Sequence, residues 1–135
     1  MRKFVLLILI LLLGISSPLM AEVFKLTTTT VAFKHYNEAI KRWSDWSEWE
    51  PCSVLVVINA DTDRIDIYSK ETQQFDIIED EGSEPDEEGG EIMSWYCVDA
   101  DGMRCRIRYR IDKDQEMQLY VDYSDFMYVY NVRFK

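Results

Sequence analysis

From residue 23 onward, apolar and polar residues alternate with a period of two, and clusters of Asp, Asn, Gly and Ser interrupt them at short intervals. Successive side chains of a strand point to opposite faces, so this pattern predicts strands and not helices. Eight are expected, over residues 23–36, 53–60, 64–69, 73–79, 91–98, 104–111, 117–123 and 128–134; residues 37–51 are left unassigned. Short turns join most of them, which makes an antiparallel meander. The acidic run EDEGSEPDEEGGE, residues 79–91, reads as a solvated loop.

Paired residues must share a face, so register can be tested on the sequence alone. Closing a hairpin over residues 61–64 sets Ala60 opposite Ile65 and Ile58 opposite Ile67, and a turn at 70–72 then sets Ile67 opposite Phe75 and Ile65 opposite Ile77. In the second half, a loop at 112–116 pairs Ile111 with Met117, Tyr109 with Leu119 and Ile107 with Val121. A four-residue loop at 124–127 pairs Tyr123 with Tyr128, Val121 with Tyr130 and Met117 with Phe134. Each half keeps one continuous apolar face. The expected fold class is therefore all-β, an antiparallel meander of about eight strands forming a small barrel or a two-sheet sandwich.

The first residues carry a different pattern. Arg2 and Lys3 precede an unbroken apolar run from Phe4 to Leu13, and Gly14, Ser16, Ser17 and Pro18 break it before the small residue Ala21. That is the layout of a cleaved export signal over residues 1–21; the run is shorter than the roughly 20 residues of a bilayer span. Residues 22–135 remain as a single β domain, with no integral membrane segment after cleavage. Its expected location is periplasmic, secreted or attached at the cell surface.

The chain has 25 acidic against 15 basic side chains and a net charge of −10, and Arg2 and Lys3 leave with the signal. Such a balance argues against nucleic acid or an anionic membrane as partner. Export permits disulfides. The hairpin CVDADGMRC, with Gly102 in the left-handed position of its turn, sets Cys97 opposite Cys105 and Trp95 opposite Ile107; a Cys97–Cys105 bridge is expected, with Cys52 as the odd thiol. The acids of DADG and DTD suit turns better than a calcium loop, because no bidentate Glu follows at the required place. No metal and no cofactor is expected. The one histidine, His35, has nothing tying it to Cys52, so thiol catalysis is not expected either.

Two groups of residues stand out as candidate ligand contacts. Arg104, Arg106, Arg108 and Arg110 line the face opposite the apolar one, with Arg106 facing Asp122 and Arg108 facing Tyr120. Cross-strand ion pairs and stacking account for such a row; recognition of an anionic ligand is the functional reading. The other is WSDWSEWEPC, with Trp43, Trp46 and Trp49 in a polar frame, which suits sugar stacking or a protein contact. Spacing of three would put successive Trp on different sides of a regular strand. The candidate ligand-binding set is thus Trp43, Trp46, Trp49, Arg106, Arg108 and Tyr120.

Locally, the W-x-x-W-x-x-W…C stretch resembles that of thrombospondin type 1 repeats, in which stacked Trp and Arg layers bind glycans and proteins. Those repeats are half this length and stapled by three disulfides, which three cysteines cannot supply, so the likeness is read as coincidence. Over its length the chain resembles short exported proteins of Bacteroidetes-type bacteria without assigned activity. The stretches RWSDWSEWEPC, VLVVIN, IDIYSKETQQF and QLYVDYSD…YVYNV carry that likeness, which implies no catalytic residues. The expected function is a non-catalytic exported binding or interaction domain for an unknown protein, glycan or small ligand. The alternatives are a glycan hydrolase built on a carboxylate pair, and a structural envelope component using FMYVYNVRF as an exposed sheet edge.

Overall fold

The computed structural model describes residues 23–135; the expected export signal lies outside the described residues. Ten strands and no helix are found among them: β1 (Val23–Asn37), β2 (Arg42–Trp43), β3 (Glu50–Pro51), β4 (Leu55–Asn59), β5 (Arg64–Ile67), β6 (Gln73–Pro85), β7 (Glu91–Asp99), β8 (Arg104–Ile111), β9 (Met117–Asp122) and β10 (Phe126–Phe134). Eight of them pair antiparallel in the order β1-β4-β5-β6-β7-β8-β9-β10, and β10 closes on β1. The protein is a small up-and-down barrel. Closure leaves no edge on β10, which is paired with β9 on one side and β1 on the other. The expectation that FMYVYNVRF is an exposed edge is corrected on that ground, since both rows of its backbone groups are engaged.

The apolar face turns inward and fills the barrel. Leu26, Val56, Ile65, Ile67, Ile107, Leu119 and Val121 are wholly buried, with Phe75 and Trp95 among them. Tyrosines complete the packing with their hydroxyls paired. Tyr128 Oη donates to Gln73 Oε1, and Gln73 Nε2 donates to Ser69 Oγ and Tyr130 Oη at 2.9 and 3.4 Å. Burying an aromatic ring this way gains its area without stranding its polar tip.

Where the expected registers differ from the observed ones, they differ by two residues. Ile58 pairs with Ile65 and Val56 with Ile67, because Asn59 Oδ1 accepts from the N–H groups of Asp61 and Thr62 and starts the turn early. Ile65 rather than Ile67 faces Phe75. Val121 faces Tyr128 and Met117 faces Val132, since Tyr123 N–H donates to the Phe126 carbonyl across a two-residue turn instead of four. A slip of two preserves the face, which is why the core composition survives it. The β7–β8 and β8–β9 registers agree with expectation, Cys97 opposite Cys105 included.

The acidic run is a correction. Strand β6 continues through it to Pro85, with irregularities between Ile77 and Glu79 and between Asp80 and Gly82, and only Asp86–Gly90 turns the chain. Its carboxylates have arginines waiting across the sheet: Glu81 takes both Nε and Nη2 of Arg106, and Asp86 both Nε and Nη2 of Arg110. Local charge density suggested a loop; backbone pairing with β7 makes residues 79–85 strand, and the arginines of β8 offset part of the charge.

The expected disulfide is also corrected: Cys97 and Cys105 are both buried free thiols. Asp99 N–H donates to the Met103 carbonyl, so by the two-residue alternation of the ladder Cys97–Cys105 is the next hydrogen-bonded pair. Cβ atoms at such a pair stand about 5.5 Å apart, beyond the roughly 3.5–4.5 Å a bridge needs. Burial, with the neighbouring Asp99 carboxylate, pushes the Cys105 thiol up to about 12, and burial pushes Cys97 higher still. Both stay protonated.

Candidate functional site

The segment between β1 and β4 follows β1 beyond the barrel proper. It does so at an unusual step. Ser44 N–H donates to the His35 carbonyl and Ser44 Oγ accepts from the His35 N–H, at 2.8 and 3.0 Å. Ser47 repeats both bonds with Phe33, at 2.7 and 2.9 Å, and Glu50 then pairs with Val31. Three residues of the segment thus match two of β1, and each serine hydroxyl stands in for a missing backbone acceptor. The hydroxyls in turn donate to the carbonyls of Asp45 and Glu48.

This step corrects the expected placement of the tryptophans. In a regular strand they would alternate sides; at three residues per β1 pair they occupy equivalent positions. Trp43 and Trp46 both flank Lys34, whose Nζ lies 5.6 Å from one ring centroid and 4.7 Å from the other. Lys34 pairs with Met127, which pairs with Asp122, and all three belong to the outer face of the barrel. Trp46 and Trp49 remain 38 % and 46 % exposed.

Trp46 reaches across the sheet to Tyr120, their centroids 6.3 Å apart. Between their backbones lie Ala32 and Val129, a cross-strand pair on the outer face that is nonetheless buried and outside the core cluster. These short side chains leave room for the Trp46 indole, which meets Tyr120 edge-on at 62°. Arg108 stacks on the far side of Tyr120 at 4.1 Å and is held by Asp122 through two bonds of 2.5 and 3.2 Å. Farther along β8, Arg106 is committed to Glu81 and lies 5.6 Å from the Tyr96 ring.

The structure therefore brings Trp43, Trp46, Tyr120 and Arg108 into one strip on the outside of the barrel, with Lys34, which the sequence pattern did not single out, and Asp122, which lies in register with Arg106 as expected but binds Arg108. Trp49 continues the repeat. Arg106 belongs to the neighbouring groove over β6–β8, about 370 Å³, lined by Glu81, Glu84, Ile92, Ser94, Arg106 and Arg108. Lys34 could have been found from its place on the polar side of β1, but only the three-to-two step shows that two indoles enclose it. Beside the strip runs a polar row in which Asn131 Nδ2 donates to Thr30 Oγ1 (2.8 Å), Gln118 Nε2 to Asn131 Oδ1 (3.1 Å) and Arg110 Nη1 to Gln118 Oε1 (3.3 Å). That row ties β1, β10, β9 and β8 together alongside the aromatic strip.

Acids elsewhere serve the frame. Asp99 Oδ1 accepts from the N–H groups of Asp101 and Met103, closing the β7–β8 turn, and its Oδ2 accepts from Tyr123 Oη at 2.7 Å. Burial works to raise the Asp99 carboxyl, but the Tyr123 hydroxyl and those backbone groups outweigh it and hold it below the usual range. Asp99 and Asp101 thus act as turn formers. No protein-family model matches the chain, and neither the curated proteins nor the solved structures compared with it gave a match.

Proposed function

We propose that this chain is a non-catalytic, exported binding module that meets its partner on the outer surface of the barrel, along Trp43, Trp46 and Trp49. The observation that carries this reading is the contrast between inside and outside. The interior is packed with side chains whose polar tips are paired, so a ligand would have to displace core. Outside, two indoles are exposed on a segment that serine bonds tie to β1, and Lys34 lies over the Trp46 ring. Rigid, partly exposed aromatic rings gain contact area at little entropic cost. Four carboxylates of the barrel wall are already occupied, Glu81, Asp86 and Asp122 by arginines and Asp99 by a turn. An inverting or retaining pair would need two acids addressing one cleft.

Intrinsic fluorescence tests this cleanly, because three tryptophans lie in the strip and the fourth, Trp95, is only 2 % exposed in the core. Titration against panels of peptides, glycans and lipids should shift emission in the wild type and not in a Trp46→Ala, Trp49→Ala double variant. A shift that persists in the double variant would move the site away from the strip.

A further inference from the structure

The strip already shows what it holds. Lys34 is a cation enclosed by the indoles of Trp43 and Trp46, an arrangement that the chain makes from its own residues. The repeat then takes one more step, from Trp46–Ser47 to Trp49–Glu50, while β1 advances from Lys34 to Ala32. At this second step the chain supplies two exposed rings but a methyl group in place of an ammonium. Among the described residues, no cation lies over Trp49, and Lys34 is the only one over Trp46.

The surroundings favour a positive partner. Asp45, Glu48 and Glu50 lie on the same segment, all exposed, and among the described residues none of them is ion-paired. The whole chain carries a net charge of −10. We infer that the Trp46–Trp49 step receives a lysine or arginine side chain of a basic protein partner, repeating in trans what Lys34 does in cis. The acids at its margin give long-range attraction, and the indole faces give the short-range preference for a cation. This inference rests on the outer-surface reading above and adds the chemistry of the partner.

The test uses the full domain, a short oligolysine peptide and the same peptide with every side-chain amine acetylated, which keeps its length but removes its charge. The oligolysine should shift tryptophan emission and bind more weakly as salt is raised, and the acetylated peptide should not bind. Trp49→Ala should weaken oligolysine binding roughly tenfold. Ala32→Lys, which offers the step a lysine from the chain itself, should weaken it similarly. Because Ala32 is buried and that variant can disturb packing, the exposed Trp49 variant decides if the two disagree. Equal binding of both peptides, or oligolysine binding unchanged in Trp49→Ala, would overturn the inference. If a neutral oligosaccharide instead shifts emission in a Trp49-dependent way and oligolysine does not, the cation preference falls while the outer-surface site stands. If no probe touches the strip, both fall.

Discussion

Tyr109 has its ring in the core and its hydroxyl donating to Met117 Sδ, and burial pushes its phenol from the ordinary 10.0 up to about 12. Burial raises Tyr123, Tyr128 and Tyr130 as well, and Cys105 from 9.0 to about 12. In each case the fold favours the protonated form. A group whose folded value lies above its unfolded value contributes fully below the unfolded one and loses that contribution as pH rises towards the folded one. The barrel should therefore hold its circular-dichroism signal to about pH 9 and lose it cooperatively between about pH 10 and 12. The phenolate absorbance of these four tyrosines, out of eight in the chain, should appear in the same transition. Ionisation of all eight phenols with the spectrum intact would show that these four are wetter than their positions imply.

The segment from Trp43 to Pro51 depends on individual side chains in a way the barrel strands do not. Ser44 and Ser47 each satisfy a β1 N–H that regular pairing would have given to a backbone carbonyl. Replacing either by Ala should cost about 0.5–1.5 kcal/mol. The double variant should raise amide exchange over residues 42–51 while leaving β7–β9 protected. Uniform loss of protection would instead mean that the segment and the barrel open as one unit. The same comparison explains what could be read here from sequence. Period-two alternation marked the eight barrel strands because each buries one face. The W-S-x-W-S-x pattern has period three, fits neither a strand nor a helix, and was legible only as a cluster of notable residues.

At the scale of the whole molecule, stability resides in the filled interior while the proposed binding strip lies on the outside, so the two should separate. Leu119→Ala or Ile107→Ala, at wholly buried positions, should cost about 2–5 kcal/mol in denaturant unfolding. Each should leave binding along the strip unchanged wherever the variant remains folded. A core substitution that alters binding without unfolding the domain would show that the interior takes part in recognition.

The alternation of the chain by itself determined an all-β meander, the faces that become core, the opposition of Cys97 to Cys105 and the outward row of arginines. These follow from local rules: a pleat has period two, and a short turn leaves few registers. Tertiary structure alone decided that the meander closes, since closure depends on β10 meeting β1, strands separated by nearly the whole chain. It also decided that the acidic run becomes strand, that the two thiols face each other without bonding, and that Trp43, Lys34, Trp46 and Tyr120 stack on one surface. Each of those outcomes is set by partners distant in sequence, whose distances and charges enter only once the barrel has brought them together.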